Sequence, residues 1–307
     1  MAPDAGIWDI VPPSTILWLV MFATFVASVV GVMLFGVVAA TVGQGQLLRP
    51  ALLTAAAVVG VANALFSNYA RDKGVLPVKS AGNEGDKHYT APFNPDGDGR
   101  HQFAPGVTRL EVQGVDGEFL VRLRWDAWSG TPVNYDLYLV DEAGTRVASS
   151  RNVQGANKTP FEAIYFAGGK ANTKYYVVIE AVGQQPAVRL DLFGKDTRLD
   201  PNVPGRTPAT SLSAPGDARG AFTVGAINVR DDKLEAYSSQ GPTLDGRRKP
   251  DISGLARVTT TSYRGQPFAG TSAATPHVSG AAALVLSAQP GATAAQVQAF
   301  LERNAKD

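Results

Sequence analysis

Phe268-Ala269-Gly270-Thr271-Ser272-Ala273-Ala274-Thr275-Pro276-His277-Val278-Ser279-Gly280 is the stretch on which the reading of this chain turns. Glycine and small residues bring the backbone through a tight turn, and a helical run from about Ser272 to Gln289 begins there. Free backbone N–H groups and the helix dipole at such a start favour negative charge beside Ser272. A serine nucleophile needs that environment, because its tetrahedral intermediate carries an oxyanion. An ordinary helix cap has the same local sequence, so the stretch alone leaves both readings open. His277 stands five residues after Ser272. A helix points residue i+5 away from residue i, so His277 reads as structural and not as a base.

Upstream, Ser67 to Lys73 reads as a helix end stopped by Gly74, and Val75 to Ser80 as a strand entering the turn Ala81-Gly82-Asn83-Glu84-Gly85. From Val107 to Phe193 the texture is all β. Phe119, Val121, Leu123 and Trp125 alternate with Leu120, Arg122 and Arg124, the period of a half-buried strand. Further strands are predicted over Tyr135–Val140, Thr145–Ala148, Phe161–Phe166, Tyr175–Val182 and Ala187–Phe193, which suggests an antiparallel sandwich. A Pro-rich boundary at Pro201 to Pro208 leads into strands at Ala221–Val229 and Lys249–Gly254. A last amphipathic helix begins near the N-cap Thr293.

Four stretches together resemble the subtilisin-like serine peptidases, the subtilases. They are the Ser272 motif, Val78-Lys79-Ser80-Ala81-Gly82-Asn83-Glu84-Gly85, Ala221-Phe222-Thr223-Val224-Gly225-Ala226, and Tyr237-Ser238-Ser239-Gln240-Gly241-Pro242 with Lys249-Pro250-Asp251-Ile252. The resemblance covers about 67–87 and 206–307 and implies a nucleophile at Ser272 and an oxyanion donor at Asn83. It also implies an aspartate and a histidine completing a triad. The family's His-Gly-Thr-His motif does not occur; His88 and His101 follow Asn83, and Asp4-Ala5-Gly6 has no strand before it. A serine hydroxyl without a base is a weak nucleophile. The expectation is therefore a serine endopeptidase by family, inactive alone, or else a pseudopeptidase binding peptides or partners, or a truncated gene product. Ser253-Gly254-Leu255 stands where the family usually has Ala-Pro, which puts local loop geometry in question.

The fold expected is α/β: a partial subtilisin-like parallel sheet with helices, interrupted by an antiparallel β-sandwich. Its parts are an N-terminal segment at 1–50, the subtilase-like pieces at 51–87 and 206–307, and the insertion at 88–205. Asn134-Tyr135-Asp136-Leu137-Tyr138-Leu139 and Gly144-Thr145-Arg146-Val147-Ala148-Ser149-Ser150 resemble the pre-peptidase C-terminal type of sandwich of secreted bacterial peptidases. The loss of strands implies an open sheet edge, to be covered by the apolar N-terminal segment or by a partner chain.

Ile16 to Val42 carries no charge, and a membrane helix is expected at about 15–43, with Trp8 and Trp18 near one end. The shorter apolar run Pro50 to Phe66 reads either as a second crossing or as a domain helix. Membrane anchoring is thus expected, on the extracytoplasmic side by family resemblance, with the insertion pointing to a prokaryotic source. Composition adds limits: 45% hydrophobic and 18% charged residues describe a globular chain. A net charge of +1 with no basic stripe sets nucleic acid aside. The absence of cysteine excludes disulfides and thiolate chemistry. No cofactor is required; Asp96 and Asp98, in Asn94-Pro95-Asp96-Gly97-Asp98-Gly99, are candidate Ca2+ ligands set against a plain polar turn.

Overall fold

The computed structural model describes residues 62–127, 133–153, 159–195 and 197–306. The membrane helix expected at about 15–43 lies outside the described residues. Among the described residues no helix is long and apolar enough to cross a membrane.

A helix, α1, occupies 62–72 and is stopped by Gly74, whose φ of +81° is one that glycine adopts without a Cβ penalty. The second apolar run therefore ends, over 62–66, inside a helix tied to the remainder of the protein. Asn68 Oδ1 accepts from Gly220 N at 2.7 Å, and Arg71 donates to Gln298 at 2.6 Å. The strand β1 (Val78–Ser80) follows, shorter than the sequence pattern suggests.

Next come β2 (His88–Pro92), β3 (Leu110–Gly114), β4 (Phe119–Trp125), β5 (Tyr135–Asp141), β6 (Arg146–Ser150), β7 (Phe161–Phe166), β8 (Tyr175–Ala181), β9 (Arg189–Lys195) and β10 (Thr197–Leu199). They form two antiparallel sheets, ordered β10-β3-β8-β5-β6 and β2-β9-β4-β7. In β4 the alternation is literal: Phe119, Val121, Leu123 and Trp125 are buried, and the residues between them are half-buried. These side chains pack with Tyr135, Leu137, Leu139, Val177, Ile179, Leu190 and Leu192. Each large apolar side chain removed from water in this way contributes about 1.5–3 kcal/mol. The Trp125 indole N–H, which would be costly to bury unpaired, donates to the Val133 carbonyl at 3.1 Å.

Beyond the sandwich run β11 (Phe222–Asn228), β12 (Ile252–Ala256), the short pair β13 (Val258–Thr259) and β14 (Pro267–Phe268), then α2 (Thr271–Ala288) and α3 (Ala294–Arg303). β1, β11 and β12 make a parallel sheet in the order β1-β11-β12. The strand expected at Lys249–Gly254 begins later, because Lys249, Pro250 and Asp251 instead lace the loop to β11. Lys249 Nζ donates to the Ala221 carbonyl, and Asp251 Oδ2 accepts from Thr223 N. Ser253-Gly254-Leu255 is strand and not loop, and the glycine has a packing reason. A Cβ on Gly254 would lie 2.6 Å from the Ala274 carbonyl oxygen, so a side chain there would push α2 off the sheet.

Helix α2 buries Thr271, Ala273, Ala274, Val278 and Ala282. Its opposite side stays open, with Leu284 73% exposed. Among the described residues β1 is an edge strand of its sheet. Helix α3 starts on a capping box: Thr293 Oγ1 accepts from Gln296 N, and Gln296 Oε1 accepts from Thr293 N.

Candidate active site

The turn after β1 and the start of α2 meet through Asn83 and Thr271. The backbone N–H of Thr271 donates to Asn83 Oδ1 at 2.9 Å, and the Thr271 hydroxyl donates to the same oxygen at 3.0 Å. Because an N–H can only donate, the Asn83 atom facing Thr271 is its carbonyl oxygen, and the amide Nδ2 points the other way. Nδ2 finds no acceptor among the described residues. Thr271 is locked in turn: its hydroxyl oxygen accepts from Gly82 N at 3.3 Å.

Ser272 is exposed in the first turn of α2, where its backbone N–H has no intrahelical acceptor. The N-cap is Gly270, with φ +108° and no side chain to satisfy the free N–H groups. A Cβ built on Gly270 would stand 3.3 Å from Asn83 Nδ2 and 3.7 Å from Ser272 N. Gly270 therefore keeps a Cβ out of a space that both Asn83 Nδ2 and Ser272 N approach within 4 Å. With no acidic residue in the first turn of α2, the local field favours an anion.

The segment Tyr237–Pro242 braces this geometry. The Tyr237 hydroxyl accepts from Gly270 N at 2.8 Å. Burial raises the Tyr237 phenol above its ordinary range, which keeps it neutral. Ser238 Oγ accepts from Ala226 N at 3.0 Å, and Ser239 Oγ from Glu84 N at 3.1 Å. Thr271, Tyr237 and Glu84 were not singled out from the sequence as site residues. The signal was their place inside motifs already marked.

The histidines lie elsewhere. Among the described residues the Ser272 hydroxyl has no hydrogen-bond partner. His277 Nδ1 donates to the Ala273 carbonyl at 2.8 Å, one turn back on its own helix. His88 is buried, with Nδ1 on the Thr207 carbonyl at 2.9 Å and Nε2 on Asp191 at 3.2 Å. Burial pushes the Asp191 carboxyl up, but His88, Arg124 and Arg189 outweigh it and hold it below the usual carboxylate range. His101 accepts from Asn94 N at Nδ1 and meets the Tyr89 hydroxyl at 2.7 Å through Nε2. Burial pushes His101 down to about 4, so it is neutral at physiological pH. Both rings are fully engaged in the sandwich.

At the Ca2+ candidates, Asp96 Oδ1 accepts from the backbone N–H of Asp98 and Arg100, and Asp98 faces Arg100 at 3.4 Å. That is a polar turn closed on itself. Among the described residues no group of three or more His, Asp or Glu is gathered for a metal.

Similarity to known proteins agrees with this geometry. The subtilase family model matches residues 144–307, more than half of the chain. Serine protease AprX of Bacillus subtilis is 31% identical over 115 residues, 30% of this chain and 26% of that protein. Minor extracellular protease Vpr of the same organism is 25% identical over 274 residues, 78% of this chain and 32% of that one. The chain thus spans about a quarter to a third of the length of these relatives. Among solved structures, the Clostridium perfringens CspB protease superposes with a TM-score of 0.52 at 17% identity, over 79% of this chain and 56% of that one. That likeness establishes a subtilisin-like α/β fold, and with the family match it allows a plain statement: the chain belongs to the subtilase family.

Proposed function

We propose that this chain is the nucleophile-bearing portion of a serine endopeptidase that cleaves peptide bonds through an acyl-enzyme at Ser272, and that it is inactive on its own. The observation that carries the reading is the convergence of Asn83 Nδ2 and the Ser272 N–H on the space beside Gly270. In attack, Ser272 Oγ bonds to the scissile carbonyl carbon and the carbonyl oxygen, now negative, sits between those donors. The hydroxyl proton has to pass to a base at the same moment, and none of the described residues is placed to take it. In subtilisin, a member of this family, loss of the triad histidine lowers turnover by about 10⁶. The substrate class is protein or peptide, in keeping with the proteases it resembles.

Purified chain incubated with casein and with a fluorophosphonate probe is the test. Negligible cleavage and negligible Ser272 labelling are expected; brisk labelling overturns the claim of inactivity.

A second reading has its own support. The open edge of β1 and the exposed Leu284 side of α2 suit a partner chain that supplies the absent strands and base. Failing such a partner, the surviving donors still suit capture of a peptide carbonyl without cleavage, as in a pseudopeptidase. Cleavage appearing when a fragment with a subtilase aspartate and histidine is added favours the partner. Casein-peptide binding lost in Asn83→Ala, with no cleavage in either protein, favours the pseudopeptidase. Membrane anchoring through Ile16–Val42, with the catalytic part extracytoplasmic, belongs to the same proposal. It rests on the uncharged run and on similarity to an extracellular protease.

A further inference from the structure

Arg122 lies in β4 of the sandwich, on the face left half-buried by the strand's alternation. Its guanidinium reaches out of the sandwich to Glu84 Oε1 at 3.5 Å. Glu84 is the residue directly after Asn83, and its other carboxylate oxygen accepts from the Asn83 backbone N–H at 2.8 Å and from the Ser239 hydroxyl at 3.4 Å. Glu84 is only 9% exposed, so its charge is held within the protein by these donors and not by water. The turn leaves little slack around that carboxylate. A Cβ on Gly82, whose φ is +111°, would stand 2.6 Å from Glu84 Oε2. A continuous path therefore runs from the sandwich to the oxyanion site: Arg122, Glu84, the Asn83 peptide, Asn83 Oδ1, Thr271.

We propose that Arg122, contributed by the inserted sandwich, is a positioning residue for the oxyanion site, acting through Glu84 to fix the peptide of Asn83. The proposal rests on the reading of Asn83 as an oxyanion donor. It goes beyond that reading by giving the insertion a task in the site. One carboxylate bridges two modules: Oε2 sets the Asn83 turn, and Oε1 is pinned by Arg122. Neighbouring Arg124 adds a second tie, donating to the Thr210 carbonyl at 3.3 Å, so the strand as a whole is fastened to the chain leading into β11. Removing the guanidinium at 122 leaves a nearly buried carboxylate free to turn towards water and release the Asn83 N–H.

The test uses the full chain, by two-dimensional ¹H–¹⁵N spectroscopy of the Asn83 side-chain amide and hydrogen exchange of its backbone N–H. In Arg122→Met the Asn83 Nδ2 signals shift and broaden, and exchange of the Asn83 N–H rises at least about tenfold, as expected for a lost charge-assisted hydrogen bond. Arg122→Lys restores most of the protection, and Glu84→Gln moves the same signals in the same direction. The Trp125 indole N–H reports whether the sandwich itself stays folded. Should Arg122→Met disturb that signal, Arg122→Gln decides instead, since it removes the charge while keeping a polar side chain in β4. Unchanged Asn83 signals in the deciding variant overturn the proposal. These signals report geometry and not reactivity, so they stand or fall separately from whether Ser272 reacts with a fluorophosphonate.

Discussion

The sandwich and the α/β portion are built by opposite logics, although both bury apolar side chains. Among the described residues twenty buried ones form the sandwich core, with Trp125, Tyr135, Phe119 and Leu190 among them, closed between two antiparallel sheets. The α/β core among the described residues has seven, four of which are alanines, and it packs one helix against three strands. Small side chains let α2 approach the sheet closely but remove little apolar area from water. The sandwich thus completes its own burial. The candidate site sits instead in the portion that, among the described residues, leaves a helix face and a strand edge open. The larger core and the candidate site thus lie in different modules, and Arg122 and Arg124 are where they meet.

Substitutions in each module test that contrast. Trp125→Ala carries the largest expected effect, about 3–5 kcal/mol lost from the sandwich by chemical denaturation, because a large cavity opens in a closed core. A loss under about 1 kcal/mol would break the picture of a self-sufficient module.

Acid comes next. His101 takes its proton near 6.5 when unfolded but near 4 when folded. Its contribution is therefore fully present above 6.5 and falls away as pH drops from 6.5 towards 4, by up to about 3 kcal/mol. Asp191, held below the ordinary carboxylate range, adds a further loss of the same sign at lower pH. In His101→Gln the slope between pH 6.5 and 4 flattens while the Asp191 step remains, readable as melting temperature against pH.

Gly270→Ala follows, at about 1–3 kcal/mol, since φ of +108° is strained for any residue with a Cβ. The added methyl also occupies the space between Asn83 Nδ2 and Ser272 N, so peptide capture is lost even where the fold is retained. Retained capture would show that the two donors do not act together.

Leu284→Ser is the smallest, within about 0.5 kcal/mol, as for an exposed position. A larger loss in the purified chain would mean that this side of α2 is covered, and the contrast would fail there.

Much of the site was legible because its signals are local. Phe268–Gly280 places Ser272 at a helix start from small residues alone, and Ala81–Gly85 places Asn83 in a turn. The alternation over 119–125 likewise settles which side chains of β4 face inward. Arg122 and Arg124 were legible only as the other face of that strand. Their partners, Glu84 and Thr210, stand 38 and 86 residues away, and no periodicity reports contacts at that range. Why Ser253-Gly254-Leu255 departs from the family's usual Ala-Pro was not legible for a related reason. The glycine answers to the Ala274 carbonyl across the fold and not to its neighbours along the chain.

By itself the sequence determined the β character of the insertion and the lack of the family's histidine motif, and it marked Ser272 and Asn83 as candidate site positions. Each is written in residue types at short spacing, where backbone conformation follows from a few neighbours. Only the tertiary structure decided that Asn83 turns its amide outward, that Gly270 leaves a space for it to face, and that His88 and His101 are consumed inside the sandwich. Those outcomes depend on hydrogen bonds between groups far apart along the chain, and such bonds exist only once packing has brought their donors and acceptors together.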